Sequence, residues 1–223
     1  MERRRAGPRP GSVEFTGVTK EFRRGGRTSA ALRPLDLAAR PGEVVALAGP
    51  NGCGKTTALR IAAGLVTPSC GRALVCGLDV RRFPPAEMGL VGASLGGGRS
   101  FYWRLTARQN LLFFGALARV GRLCLRERVP LLADELGIGA VLDEPARRLS
   151  RGSLARLSVA RALLHQPPVL LLDEPCAAVD AAGRRDIAAA VLRAAGRGAS
   201  VLVTAQEASE VPWSGRTVAL SSS

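Results

Sequence analysis

Lysine is nearly missing from this 223-residue chain: of its 32 basic residues only Lys20 and Lys55 are lysines, and the rest are arginine. No apolar run approaches the roughly 18 to 20 residues that cross a bilayer. Runs such as Val44 to Ala48 and Val169 to Leu172 are strand-sized, so the chain is not expected to span a membrane. The five cysteines, at 53, 70, 76, 124 and 176, form no C-x-x-C pair and no metal-ligand rhythm. That pattern implies neither a disulfide nor a zinc framework and fits a reducing compartment. Met1 to Pro10 is basic but has no apolar centre, unlike a secretion signal, and reads as a solvated tail on a cytoplasmic protein. Nor is there a block of five or six like charges. The net charge of +14 is carried by dispersed arginines, at 3 to 5, 23 to 24, 81 to 82, 147 to 148 and 184 to 185 among others. With alanine and glycine also abundant, the dispersal looks like coding bias rather than a polyanion-binding patch, so no nucleic acid is expected as a partner. The length allows one α/β core with an inserted subdomain; two independent domains would be cramped.

What is present is the run Gly49, Pro50, Asn51, Gly52, Cys53, Gly54, Lys55, Thr56, Thr57, which fills the G-x-x-x-x-G-K-[ST] pattern of a phosphate-binding loop. Glu43 to Ala48 before it reads as a buried strand, and Thr56 to Leu65 after it as a helix. The glycines let successive backbone N–H groups turn toward an anion, and the positive end of the helix dipole adds to the attraction. Lys55 would reach the outer phosphates and Thr56 would hold Mg²⁺. An ammonium fits here where a planar guanidinium would not. Cys53, at the helix start, is either a thiol open to alkylation and protected by ATP or a small residue that suits the turn.

Around this loop, strands and helices alternate. Ser12 to Phe15 and Leu32 to Leu37 suggest antiparallel edge strands joined by a turn at Arg23 to Arg27. Ala73 to Cys76 and Met88 to Val91 are further strand candidates, the latter followed by the glycine-rich 96–98. Thr106 and Gln109 form a capping box for a helix to about Val120, and the chain stays helical to Ser150, punctuated by Pro130 and Pro145. Helices at Ser153 to Leu164 and Ala182 to Ala195 flank the strand Val169 to Leu172, and Val201 to Thr204 is a last strand. The expected fold is α/β: a P-loop NTPase core with a mostly parallel sheet, an N-terminal antiparallel β part and an inserted α-helical subdomain at about 93–150. Residues 1–11 are read as a basic flexible tail.

Val169 to Leu172 ends in Asp173-Glu174. Beside a phosphate loop, such a strand end can hold Asp173 near the Mg²⁺ shell and Glu174 near the outermost phosphate, as phosphoryl transfer to an oriented water requires. Glu174 is the candidate general base.

Gly49 to Thr57, Leu149-Ser-Arg-Gly-Ser153, Leu170 to Pro175 and Ala177-Ala-Val-Asp180 stand in an order and spacing that resembles the nucleotide-binding subunit of ABC transporters, over about residues 12–220. The segment Phe101 to Leu111 looks most like the ABC-2 type exporters. The resemblance implies an ATPase working as a homo- or heterodimer, with ATP and Mg²⁺ held between the phosphate loop of one copy and the signature loop of the other. It also implies a separate membrane-spanning permease and a place on the inner face of the cell membrane. By position, Phe22 would stack on adenine, with a partly buried strand-end aromatic as the alternative. Ser150 and Gly152 would touch the outer phosphate bound by the opposing copy, and Asp180 would bridge the two sites. Phe101-Tyr102-Trp103 would dock the permease or else pack the helical insert on the sheet.

Three departures from that family stand out. The loop expected after Val91 reads Gly92-Ala93-Ser94-Leu95 and lacks a glutamine; the signature carries Arg151 and Ser153; and Gln206 occupies the place of a switch histidine. The sole histidine, His165, reads as a helix C-terminal cap. These departures predict firm MgATP binding with slow hydrolysis. The alternatives are a regulatory ATP-binding module with little turnover, or a soluble ABC protein acting on nucleic acid or ribosomes.

Overall fold

A computed structural model describes residues 11–24, 27–82, 89–96 and 101–221. Three strands, β3 (Val44–Ala48), β7 (Val169–Leu172) and β8 (Ser200–Ala205), are buried along their whole length. A strand covered on both faces has no solvent side, which is why these segments are nearly continuous apolar runs rather than alternations. Their residues serve two cores by turns: Val44 and Ala46 face one, Val45 and Leu47 the other. With β6 (Val91–Ser94) and β9 (Arg216–Ala219) they make a parallel sheet in the order β6-β7-β8-β3-β9.

A second, antiparallel sheet runs β2-β1-β4-β5, from β1 (Val13–Arg24), β2 (Arg27–Ala39), β4 (Cys70–Val75) and β5 (Leu78–Asp79). Helix α1 (Lys55–Ala62) shares a core with both sheets through Ala58, Leu59, Ile61 and Ala62. On the other face of the parallel sheet lie α2 (Ala107–Leu117), α3 (Arg122–Glu135), α4 (Arg151–Leu163) and α5 (Ala181–Gly196). The expected class holds, with its antiparallel part, its parallel sheet and its helical insert.

Several boundaries move, each for a physical reason. β1 and β2 are longer than the alternation suggests because register shifts between Phe15 and Glu21 break the period of two. The strand expected at Met88 to Val91 is Val91–Ser94, and Met88 lies outside the described residues. Its apolar signal is interrupted at Gly92, where a Cβ would strike the Ala162 carbonyl of α4 and lie 2.6 Å from Pro167 Cγ. Gly92, Ala93 and Ser94 are therefore sheet and not loop, and the first helix beyond them starts at Ala107. Pro130 does not punctuate: α3 continues through it, with Leu125, Val129, Leu132 and Ala133 buried. β9 is short and mostly exposed and has no sequence signature. Of the expected tail only Gly11 is described, as is Gly96 alone from the glycine run, and Gly25 and Gly26 of the first turn lie outside the described residues.

Candidate functional site

Because every strand of the parallel sheet runs the same way, the residues that follow β3, β6, β7 and β8 emerge along one edge. That edge is where α/β folds place their ligands. After β3 the chain turns through Gly49 to Gly54 into α1, whose cap residue Gly54 has φ 103°. A Cβ there would lie 2.6 Å from the Ala31 carbonyl oxygen, so glycine is required by space as well as by backbone conformation. Asn51, Gly52, Gly54 and Thr57 line a cleft of about 310 Å³ whose opposite walls are Ser29 and Ala31 of β2 and Glu174.

Lys55 is buried, at 4% exposure. Its Nζ donates to the Gly49 and Pro50 carbonyl oxygens at 2.6 and 3.1 Å and stands 3.6 Å from Glu174 Oε1. Thr56 Oγ1 donates to both oxygens of Asp173, at 3.1 and 2.9 Å. Asp173 is held further by its own N–H on the Ser94 carbonyl at 2.9 Å. Glu174 sits at φ 45°, a left-handed conformation that costs a residue with a side chain about 1 to 3 kcal/mol. Such strain at a strand exit marks a constrained position.

These donors fit MgATP. No cluster of three or more His, Cys, Asp or Glu able to hold a metal exists among the described residues; a cation at this site would take the Thr56 hydroxyl and the Asp173 carboxylate from the protein. That is the donor set Mg²⁺ accepts when phosphate oxygens and water complete its shell. A loop of N–H groups, a lysine and a helix N-terminus supply the complementary anion site.

Ser150, Gly152 and Asp180 lie outside this cleft, in a second cluster. Ser150 caps α4, accepting the Ser153 N–H at 3.0 Å, and Asp180 caps α5, accepting the Gly183 N–H at 2.9 Å. A Cβ on Gly152 would come within 3.0 Å of the Ala178 carbonyl oxygen, so the start of α4 abuts the segment leading to Asp180. Phe22, 46% exposed, pairs across the β1–β2 ladder with Ser29 of the cleft wall, and Lys20 Nζ lies 4.9 Å from its ring. Gln206 follows β8 and is exposed.

Of the two readings of Cys53, burial at 5% exposure with its Sγ packed against Gly49 favours the small residue that suits the turn. One expectation changes. His165 does not cap α4, which ends at Leu163 with Leu164 as its cap; the imidazole instead bonds the Val91 carbonyl of β6, and its Nε2 is buried without a hydrogen-bond partner. Burial lowers the His165 pKa from its ordinary 6.5 against that bond, and the charge of Arg128 adds to the lowering.

The aromatic triplet divides: Phe101 is buried, whereas Tyr102 and Trp103 are 52% and 46% exposed. Sequence patterning overlooks Asn110, which is fully buried and ties this segment to α2 by accepting the Tyr102 N–H and donating to the Tyr102, Leu105 and Thr106 carbonyls. The capping box forms, so Gln109 is committed to the Thr106 N–H at 2.9 Å.

Comparison with known proteins agrees with this geometry. The chain is 39% identical over 173 residues to a spermidine/putrescine import ATP-binding protein, PotA, of Frankia alni, a match covering 77% of this chain and 36% of that one. It is 33% identical over 168 residues to the ABC transporter ATP-binding protein NatA of Bacillus subtilis, covering 75% and 68%. In structure it resembles a dimeric ATP-binding cassette in a post-hydrolysis state bound to ADP and Pi, with TM-score 0.85 at 24% identity over 93% of this chain and 94% of that chain. The first of these is an import protein, so the likeness gives no export direction. The family profile described as ABC transporter matches residues 32–177, well over half of the chain, and the chain belongs to that family, as an ATP-binding domain of the P-loop type.

Proposed function

We propose that this ABC ATPase domain couples MgATP binding and hydrolysis to transport through a separate membrane-spanning subunit, working as a dimer of ATPase domains at the inner face of the membrane. The observation that supports it most is the convergence of Lys55, Thr56, Asp173 and Glu174 on the one cleft edge that also carries the phosphate-loop N–H groups. Lys55 exchanges its bonds to the Gly49 and Pro50 carbonyls for bonds to the outer phosphates. Phe22 offers its exposed face to the adenine. Thr56 and Asp173 would hold Mg²⁺, which when bound would draw negative charge off the phosphates. Glu174 orients a water and takes its proton. Ser150 and Gly152 of a second copy bring a helix N-terminus to the same nucleotide, and Asp180 bridges the two sites.

Hydrolysis is proposed to be slow. Ala93 and Ser94 would supply no carboxamide to a metal here, and Gln206 can donate a hydrogen bond but cannot become cationic. Losing one such contact lowers rates by about 10² to 10³. The same absences favour, as a second reading, a module that closes on nucleotide without useful turnover. Export as the direction rests on the Phe101 to Leu111 segment, and exposed Tyr102 and Trp103 are the proposed docking patch for the membrane subunit. No helix among the described residues is long and apolar enough to cross a membrane.

Glu174→Gln decides between the readings. It is expected to abolish ATP turnover while retaining nucleotide and shifting the protein to a dimer in size-exclusion chromatography with MgATP. Unchanged turnover in this variant would overturn the assignment of Glu174, and a wild type with no turnover but nucleotide-dependent dimers would establish the second reading.

A further inference from the structure

Thr204 stands in β8, two residues before Gln206, with no exposed surface. A hydroxyl buried at the end of an apolar strand is unfavourable unless its hydrogen-bonding capacity is used. Here its Oγ1 both donates and accepts, each time with the exit of the neighbouring strand. It donates to Asp173 Oδ1 at 2.7 Å and accepts the Glu174 N–H at 2.9 Å. The Asp173 carboxylate is thus gripped between two hydroxyls, Thr56 from α1 and Thr204 from β8. Glu174, at its left-handed φ of 45°, is held there in part by the same side chain. The parallel register sets Leu172 beside Val203, which carries Thr204 to the level of Asp173.

We infer that Thr204 is a positioning residue of the hydrolytic centre: its single hydroxyl fixes the Asp173 carboxylate toward Thr56 and pins the strained Glu174 backbone so that the glutamate faces Lys55. This rests on the roles proposed above for Asp173 and Glu174 and adds to them a third strand. It makes β8 a contributor to metal and base geometry even though the residue at the switch position, Gln206, lacks a titratable ring.

Thr204→Val keeps the shape of the side chain and removes the hydroxyl, and Thr204→Ser keeps the hydroxyl. Both are to be compared with Asp173→Asn in three measurements: turnover against Mg²⁺ concentration, affinity for a fluorescent ATP analogue in EDTA, and hydrogen exchange of the Glu174 amide in nucleotide-free protein. Thr204→Val is expected to lower kcat about tenfold or more, as loss of a bond to a charged group does. It should also raise the Mg²⁺ concentration for half-maximal turnover and expose the Glu174 amide to exchange, with metal-free affinity unchanged and Tm lowered because the Glu174 N–H loses its partner; Thr204→Ser should restore all of these. Wild-type exchange and Mg²⁺ requirement in Thr204→Val, with Asp173→Asn impaired, would overturn this inference alone. Equal losses in both Thr204 variants with a lowered Tm would also overturn it, leaving only a packing role. If Asp173→Asn itself changed nothing, the assignment of the metal site would fail and the role of Thr204 with it.

Discussion

Lys55 shows how much one residue can reveal. In a chain whose other basic residues, Lys20 apart, are arginine, its ammonium is 4% exposed and bonded to two loop carbonyls, a space in which a forked guanidinium cannot turn. Lys55→Arg is therefore expected to lose ATP affinity about as severely as Lys55→Ala, by roughly tenfold or more, measured by fluorescence titration with an ATP analogue. The phosphate loop is legible because few residue types can do its chemistry: glycine for a turn with φ 103°, lysine for charge in a tight space, a hydroxyl beside a carboxylate. Thr204 is not legible in the same way. A threonine in an apolar strand reads as an ordinary strand former, and only the position of Asp173 gives its hydroxyl meaning. Asn110 was hidden for the same reason, since its four partners are backbone atoms brought close by the fold.

The junction of β6 with α4 carries the least readable part of the fold. A strand with Gly92 at its second position and Ser94 at its fourth has little apolar pattern, because α4 passes too close for a side chain at Gly92. At Ser94 the helix answers with a serine of its own: Ser94 Oγ donates to Ser158 Oγ at 2.7 Å, and both residues are buried. Removing one partner strands the other. Ser158→Ala is expected to lower stability by about 1 to 3 kcal/mol, while the double change Ser94→Ala with Ser158→Ala is nearly neutral, a contrast that urea unfolding measures. His165 joins the same two elements and adds a pH dependence. Its pKa is lowered in the folded protein, first by burial, so as pH falls below 6.5 the unfolded chain binds the proton before the folded one does. Stability is expected to be insensitive to this group above pH 6.5 and to decline below it, until the folded histidine is protonated too. Melting curves of wild type and His165→Gln against pH test this: the variant should lose that part of the slope.

At the scale of the molecule, the alternation of strands and helices and the single inserted helical region were readable from periodicity. The longer strands of the antiparallel sheet and the edge strand β9 were not, because register shifts in one and exposure in the other erase the apolar pattern. The two groups of site residues follow from the same architecture, one at the exits of β3 and β7 and one at the starts of α4 and α5. Each is incomplete alone in the proposed dimer.

Three of the strands that feed the site, β3, β7 and β8, are buried throughout, while residues just past their ends, such as Pro50 and Gln206, are exposed or partly so. Apart from the buried Lys55 and Thr204, which serve both, fold and rate are therefore written in adjacent but separate letters of the chain. A change at the letter after the strand leaves the buried core intact, so activity can drift while stability stays put. Gln206→His is expected to raise ATP turnover with no shift in Tm, measured side by side with wild type. On the proposed reading of slow hydrolysis, this cassette is one substitution from a faster one, and selection can move it either way without first having to rescue the fold.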